Sequence, residues 1–233
     1  MRGVLLGLLL LCSCATEKLP RPQLPTEFSM NERAGRGGWL MVTLHLESGE
    51  DLPFLVDTGT SDTVIDKSLA PTLGKALGPA IFQSWGVKET NSSYAAPTLY
   101  LGGARLVTGD RIFSYDCKQM SSAAGHPVMG ILGMDVLKHY CIQLDFAAGK
   151  MRFLDAERAD KKIWGKAFPI VPLNSRDPRP AVGENLLGAH GPHSLIDSGC
   201  DADGWLMPQF FRQWTNQAVP AAKGEARSPR GHV

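Results

Sequence analysis

The sequence lacks a strong excess of charge of either sign. Its 233 residues carry 24 Lys and Arg against 23 Asp and Glu, which gives a formal net charge of +1 at pH 7. A protein that binds nucleic acid through its phosphates usually presents a clear basic excess, so no nucleic-acid partner is expected. The length is nevertheless sufficient to bury a core, either as one large domain or as two small lobes.

Cysteine is scarce, with five in the chain and no C-x-x-C spacing among them. That absence removes the usual sequence basis for a structural zinc site or a thioredoxin-like redox motif. Cys117 and Cys141 could pair in an oxidising compartment, but the sequence does not fix the distance between them. Cys200 would then be left over. We expect no metal and no cofactor.

Long hydrophobic runs are also absent. The apolar stretch from Val4 to Leu11 follows Arg2 and is too short to span a bilayer as a helix. It resembles a bacterial secretory signal, and L-C-S-C at 11–14 resembles a lipobox in which Cys14 becomes the lipidated first residue. Residues 1–14 are therefore predicted to be a signal peptide of a lipid-anchored protein of the periplasm or cell envelope. An ordinary cleaved signal, leaving a free secreted protein, is the alternative.

After a polar, proline-marked segment at 15–36, which suits a linker, short strands with glycine turns predominate. Leu40, Val42, Leu44 and Leu46 alternate along one strand, and L-P-F-L-V-D at 52–57 gives a second strand that ends at Asp57. The class is therefore predicted to be mainly β. Further elements are predicted as a short helix within 67–77, hairpins at 98–107 and 141–154, and a glycine-interrupted strand leading into a helix at 128–140.

Two short stretches place an acid directly after an apolar run: F-L-V-D-T-G-T-S at 54–61 and S-L-I-D-S-G-C at 194–200. A carboxylate at the end of a buried strand is costly unless it is hydrogen-bonded, paired or used. A D-[S/T]-G triplet is expected only roughly a tenth of a time by chance in a chain of this length. The second stretch therefore indicates an incomplete repeat, predicted over 165–215 with an entering strand at 168–173 and a polar tail at 216–233.

The pattern in the two stretches suits a particular chemistry. Glycine allows the chain to turn sharply after the acid, and the hydroxyl residue between them can brace a facing loop. Two such loops place two carboxylates side by side, and like charges that close share one proton. The ionised acid can then activate a water molecule while the protonated acid polarises a carbonyl, which is suited to amide hydrolysis.

Three motifs together resemble a lobe of the retropepsin-like and pepsin-like aspartic peptidases: F-L-V-D-T-G-T-S at 54–61, G-I-L-G-M-D-V-L at 130–137 and L-D-F-A-A-G-K-M-R-F-L at 144–154. The resemblance implies a closed, β-barrel-like lobe over 37–155 that hydrolyses peptides or proteins, with the G-I-L-G strand supporting the first acid's loop. It also implies a substrate-covering flap, placed at 81–88. The site residues implied are the catalytic acids Asp57 and Asp197, the loop residues Thr58, Gly59, Ser198 and Gly199, and the flap-tip residues Trp85 and Gly86.

The second stretch departs from the pattern. Cys200 and Asp201 stand where Thr60 and Ser61 stand in the first, and no second G-I-L-G segment follows. Two arrangements are therefore open: Asp57 pairs with Asp197 of the same chain, or with Asp57 of a second chain in a homodimer. A catalytically inactive lipoprotein that binds peptides or a protein partner is the alternative function.

Three other polar sites have simpler interpretations. Asp135 follows the glycine strand and is predicted to cap the helix that begins there. Asp145 is predicted to face solvent or to pair across its hairpin. His190 and His193 form H-x-x-H, but in a turn that contains glycine and proline rather than on a helix, so they are not expected to bind zinc.

Overall fold

The computed structural model describes residues 26–84, 87–154, 167–175, 177–182, 194–200, 227–228 and 231–232. Strands predominate within them, which confirms the predicted mainly β class. The strands are β1 (Thr26–Ser29), β2 (Met41–His45), β3 (Asp51–Val56), β4 (Val64–Asp66), β5 (Gly78–Ser84), β6 (Val87–Ala95), β7 (Tyr100–Leu101), β8 (Ala104–Arg105), β9 (Arg111–Tyr115), β10 (Gly130–Leu132), β11 (Cys141–Asp145), β12 (Lys150–Leu154), β13 (Ile170–Asn174), β14 (Asp177–Val182), β15 (Ser194–Leu195), β16 (Arg227–Ser228) and β17 (Gly231–His232). The helices are a 3-10 helix (Lys67–Leu73), α1 (Lys118–Ala124) and α2 (Met134–Leu137).

The largest sheet has nine strands in the order β5-β6-β9-β4-β10-β3-β2-β7-β8. Its β2–β3 hairpin is antiparallel from Met41↔Leu55 to His45↔Asp51, so β3 ends directly before Asp57 as predicted. The glycine-interrupted segment forms β10, which pairs in parallel with β3 and antiparallel with β4. It leads into α2, also as predicted.

The closed barrel that the resemblance implied is not formed among the described residues. The nine strands make an open sheet whose outer strands, β5 and β8, each pair with one neighbour. At one edge β7 and β8 have only two residues each and turn back at Gly102, which has a φ of 57°. Strands this short offer too few ladder hydrogen bonds to carry the sheet round to β5. The prediction of a mainly β class is confirmed, whereas a closed barrel is not formed by the described strands.

A second sheet covers one side of the core and has the order β1-β12-β11. The predicted hairpin at 141–154 forms β11 and β12, with Gly149 at the turn in a positive φ of 64°. β1 was unexpected, because it lies in the segment predicted as a linker. It pairs with β12, and Phe28 packs edge-on against Phe153 with ring centroids 5.9 Å apart. One aromatic residue among polar neighbours gives no periodic signal, which is why the sequence did not indicate this strand.

The core lies on both faces of β3. Phe54 and Val56 belong to one cluster of buried residues and Leu55 to another, and all three are at most 3% exposed. Burial on both faces explains the continuous apolar run before Asp57, since a half-buried strand would alternate. Burying each such side chain stabilises the fold by about 1.5–3 kcal/mol relative to exposure. The strand that carries the first acid is therefore among the most firmly held in the molecule.

The second unit contains a three-stranded sheet in the order β13-β14-β15. The predicted entering strand at 168–173 forms β13, and β14 is the strand that pairs with β15, the strand just before Asp197. The sequence of β14 is D-P-R-P-A-V, and its two prolines hide it from a strand pattern. In the predicted polar tail, β16 and β17 pair antiparallel through two residues each.

The last two features concern the cysteines and the lengths of the helices. The pairing considered for Cys117 and Cys141 is not formed, and both are free cysteines. Burial raises the pKa of the Cys117 thiol, whose side chain is fully buried. No helix in the described part of the chain is both long and apolar enough to cross a membrane.

Candidate active site

Both acid-bearing loops make the same local hydrogen bonds. The Gly59 amide donates to Asp57 Oδ1 at 2.7 Å, and the Gly199 amide donates to Asp197 Oδ1 at 2.9 Å. One residue further along, the amides of Thr60 and Cys200 donate to the backbone carbonyls of Asp57 and Asp197 at 3.3 and 3.4 Å. The D-[S/T]-G pattern thus folds into the same turn twice, with each carboxylate anchored by the glycine amide two residues later.

The two turns also bond to each other. The Thr58 amide donates to Ser198 Oγ and the Ser198 amide to Thr58 Oγ1, both at 3.0 Å. Each hydroxyl in turn donates to a carbonyl of the opposite strand end: Thr58 Oγ1 to Ile196 at 2.7 Å and Ser198 Oγ to Val56 at 2.8 Å. These four bonds join residues of one chain that are far apart in sequence. The two hydroxyl residues therefore brace the loops across an approximate two-fold axis.

The carboxyls lie at the centre of this arrangement. A Cβ atom built on Gly59 would lie 2.4 Å from Asp197 Cγ, and one built on Gly199 would lie 2.4 Å from Asp57 Cγ. Real Cβ atoms essentially never approach so closely, so each carboxyl occupies space that only a glycine leaves open. Each carboxyl therefore lies against the backbone of the opposite loop, and the charge of Asp197 acts on Asp57. The structure thus brings Asp57 and Asp197 together within a single chain.

The environment favours retention of one proton by the pair. Burial, followed by the nearby charge of Asp197, raises the pKa of Asp57 to about 6. Two hydrogen bonds act against this rise: one from the Gly59 amide and one from Thr60 Oγ1 to Asp57 Oδ2 at 2.5 Å. Asp57 is partly buried, whereas Asp197 is exposed. At mildly acidic pH the pair can therefore hold one ionised and one protonated carboxyl.

Only the first loop has a strand behind it in the described structure. The Asp57 amide donates to the carbonyl of Leu132, the last residue of β10, at 3.0 Å. The amide of Met134 then donates to the Thr60 carbonyl at 2.9 Å. Gly133 lies between them, and a Cβ on it would come within 2.7 Å of the Asp62 backbone. The G-I-L-G segment therefore lies directly behind the Asp57 loop, where only glycine allows so close an approach.

Asp135 does not cap its helix, contrary to the prediction. The residue before α2 is Gly133, and Asp135 lies within the first turn. Its Oδ1 instead accepts two bonds from Thr63, one from the amide at 2.8 Å and one from the hydroxyl at 2.6 Å. Burial raises the pKa of this carboxyl, while the Thr63 bonds lower it. Asp135 binds Thr63 rather than the helix N-terminus because the chain after Asp57 turns back over the start of the helix.

Arg179 was not predicted as a site residue. Its Nη1 donates to the carbonyl of Gly59, in the first loop, at 3.1 Å. Its Nε and Nη2 bind both oxygens of Asp177, at distances of 2.6–3.0 Å. A lone arginine between two prolines matches no motif, and its contact spans 120 residues. Only the assembled fold identifies it as a neighbour of the acids.

The predicted flap falls on a hairpin. β5 and β6 pair antiparallel from Gly78↔Ser93 to Ser84↔Val87, the pair nearest the turn. The predicted tip residues, Trp85 and Gly86, lie outside the described residues. A small cavity between this hairpin and the first loop is lined by Asp62, Ala80, Ile81, Phe82, Asn91 and Phe113.

No cluster of three or more His, Cys, Asp or Glu residues suited to a metal occurs in the described ranges. His190, His193 and Asp201 lie outside those ranges, as do Cys14 and the rest of residues 1–25. The expectation of a metal-free, cofactor-free protein therefore stays a prediction.

Comparison with known proteins bears on the first unit. Residues 42–136 match the model of a family described as aspartyl protease. Among solved structures, the chain is similar to a retropepsin-like aspartic protease from Rickettsia conorii, with 18% identity and a TM-score of 0.37. That similarity covers 55% of this chain and 89% of the Rickettsia chain. No curated protein matches the chain in sequence. The family match takes in the Asp57 loop and the strand behind it, but not the Asp197 loop.

Proposed function

Residues 42–136 belong to the aspartic peptidase superfamily, and from that premise we propose that the chain is an aspartic endopeptidase whose catalytic pair is Asp57 and Asp197. One observation carries the proposal: each carboxyl lies where the opposite loop's glycine would otherwise bear a side chain, at 2.4 Å from the built Cβ position. The four bonds between Thr58 and Ser198 and the opposite strand ends support a pair formed within one chain. The homodimer remains the competing arrangement.

The reaction needs the pair to hold one proton. The ionised carboxylate takes a proton from a water molecule as its oxygen attacks the carbonyl carbon of the peptide bond. The protonated carboxyl gives its proton to the carbonyl oxygen, which forms a neutral tetrahedral diol. The C–N bond then breaks as the nitrogen receives the proton held by the pair, one hydroxyl of the diol gives its proton to the other carboxylate, and a carboxylic acid and an amine leave. The pair returns to its starting state without a covalent intermediate.

The environment of Asp57 suits these proton transfers. Because burial and the neighbouring carboxylate raise its pKa to about 6, the pair keeps a proton well above the ordinary range of a carboxyl. The hydrogen bonds from Thr60 and the Gly59 amide hold its two oxygens in fixed positions. A carboxyl that is both fixed and reluctant to ionise is suited to act as an acid in one step and a base in the next.

The test uses the full chain with a mixture of unstructured peptides from pH 3 to pH 8, with and without a statine-type transition-state mimic. Asp57→Asn and Asp197→Asn are each expected to abolish cleavage. Asp145→Asn is the matched control, because Asp145 binds Arg152 on the β11–β12 hairpin rather than the site. Loss with Asp57→Asn alone would favour the homodimer. Wild-type activity in Asp57→Asn, or no cleavage by a folded wild type, would overturn the peptidase and favour a peptide-binding lipoprotein.

We also propose that the protein works outside the cytoplasm, attached to a membrane by a lipid on Cys14. The proposal rests on the L-C-S-C stretch after a short apolar run. Metabolic labelling with a fatty-acid analogue should label the wild type and not Cys14→Ser, while Cys12→Ser serves as the neighbouring control. Equal labelling of the wild type and Cys14→Ser would contradict the anchor.

A further inference from the structure

Arg179 joins the second unit to the first loop. Its Nη1 donates to the carbonyl of Gly59, the residue whose amide holds the Asp57 carboxylate. The guanidinium is partly buried, with 31% of the side chain exposed, so its charge is not fully screened by solvent. Through Gly59, one side chain of the second unit thus contacts the turn that positions the first acid.

Asp177 fixes the direction of this side chain. It binds Nε and Nη2 through both of its oxygens and also accepts the Arg179 backbone amide at 3.1 Å. The Arg179 guanidinium lowers the pKa of Asp177 and so favours its ionised form. A planar guanidinium held by two parallel bonds has little rotational freedom left. Nη1 is therefore presented to the Gly59 carbonyl in a fixed orientation.

The approximate two-fold symmetry relates Arg179 of the second unit to an uncharged residue of the first. The Ile196 amide donates to the Pro180 carbonyl at 2.8 Å, and the Val56 amide donates to the Leu40 carbonyl at the same distance. Pro180 thus corresponds to Leu40, and Arg179 to Trp39. The first unit has an uncharged indole where the second has a guanidinium.

Resting on the peptidase proposed above, we propose that Arg179 is a positioning residue: clamped by Asp177, it holds the Gly59 turn in place and supplies a fixed positive charge beside the Asp57–Asp197 pair. The charge favours the ionised form of the pair, so the singly protonated state extends to lower pH than it would beside a neutral side chain. The pKa of Arg179 itself is raised by Asp177 first and then by the charges of Asp197 and Asp57, which supports the placement.

The other charged groups nearby do not supply the same effect. Among the described residues, the neighbouring carboxylates are Asp177 on β14 and Asp135 on α2, the helix that packs against β14. Asp62 interacts electrostatically with Asp135. Negative charges such as these oppose, rather than favour, ionisation of the pair. Lys138, at the end of α2, is exposed and therefore more strongly screened.

The test measures the titration of the two carboxyls directly and does not depend on peptidase activity. In the full chain labelled with [13Cγ]aspartate, the carboxyl shifts of Asp57 and Asp197 are followed from pH 3 to pH 9, with assignment by the two Asp→Asn variants. Arg179→Gln keeps an N–H donor and loses the charge, so both midpoints are expected to rise by about half to one pH unit. Arg179→Lys keeps the charge and is expected to leave the midpoints within about 0.3 unit.

Two further variants complete the design. Arg152→Gln is the matched control, because Arg152 is likewise paired with carboxylates, Glu27 and Asp145, but lies on β12. Its loss should leave the midpoints of the pair unchanged. Asp177→Asn removes the negative charge but keeps Oδ1 as the acceptor for Nε and for the Arg179 amide, so the cation stays in place and the midpoints should fall or stay, even if Arg179→Gln does not fold. Unchanged midpoints in folded Arg179→Gln, or a rise in Asp177→Asn, would overturn the proposal.

Kinetics then separate this proposal from the peptidase itself. If the wild type cleaves peptides, both limbs of the kcat/KM profile of Arg179→Gln should move to higher pH with the carboxyl midpoints. Arg179→Lys should lose about tenfold in kcat with little change in KM, since an ammonium cannot reproduce the planar fork. A purely structural role would lower the melting temperature and leave the pH profile in place, which would contradict the proposal. If the wild type cleaves nothing while the midpoints still shift, the peptidase fails and the electrostatic role of Arg179 stands.

Discussion

The loops at Asp57 and Asp197 have the same internal geometry but very different support. Val56, before the first acid, is 2% exposed, whereas Ile196, before the second, is 39% exposed. The first loop rests on β10 and α2, while the second lies at the end of a two-residue strand in a three-stranded sheet. The turn is therefore encoded locally by Asp, hydroxyl and Gly, whereas its rigidity comes from the surrounding fold. The second loop obtains much of its rigidity from the first, through the bonds of Thr58 and Ser198.

The equivalent geometry of the two loops is tested most directly by adding a methyl group at Gly59 and at Gly199. Gly59→Ala and Gly199→Ala are both expected to reduce peptide cleavage by at least about a hundredfold, because the new Cβ meets the opposite carboxyl. Kinetics with a fluorogenic peptide would measure the loss. Gly103→Ala is the control, since nothing lies within 4 Å of a Cβ there. A mild effect at Gly199 beside a severe one at Gly59 would show that the second loop yields and that the equivalence is only geometric.

A smaller effect is expected from the hydroxyls. Ser198→Ala removes a donor to the Val56 carbonyl and an acceptor for the Thr58 amide, and leaves both partly buried groups without that partner. We expect a loss of about 1–3 kcal/mol in the free energy of unfolding, with reduced activity. Denaturant titration would measure it. Ser198→Thr introduces the residue type of the first loop and keeps the hydroxyl, so its stability should be close to that of the wild type. A stability as low as that of Ser198→Ala would indicate that the two loops tolerate different side chains.

The last expected effect concerns the pH dependence of stability at Asp57. Its pKa of about 6 lies above the ordinary value of 3.8, so its favourable contribution is complete below pH 3.8 and is lost as the pH rises through 6. Asp57→Asn removes that loss and should stabilise the protein at pH 7.5 by about 1–3 kcal/mol relative to its effect at pH 4. Thermal melts at both pH values would show it. Asp145→Asn should have the opposite sign, because a hydrogen bond from the Ala148 amide lowers the pKa of Asp145. A pH-independent difference at Asp57 would contradict the burial of its charge.

Much of the first unit could be predicted because its signals are local. The alternation in β2, the turn at Gly149 and the strand-to-helix transition at Gly133 each lie within a few residues of sequence. The two acids were found for the same reason, since each D-[S/T]-G turn makes its own hydrogen bonds. β14 and Arg179 escaped prediction because prolines mask the strand and because the arginine's partner lies 120 residues away. Whether the acids meet within one chain likewise depends on long-range contacts that no local pattern encodes.

The bonds between the hydroxyl residues also impose an order on biosynthesis. They join residues 138–142 positions apart, whereas the members of both core clusters in the described structure lie between residues 28 and 153. During translation the first unit can collapse around its own core before the Asp197 turn has been made, since domains fold as units from the N-terminal side. High contact order then makes the joining of the loops a late event. Until then a nascent chain carries one unopposed acid, and the proposed catalytic pair forms only after the Asp197 turn has been made.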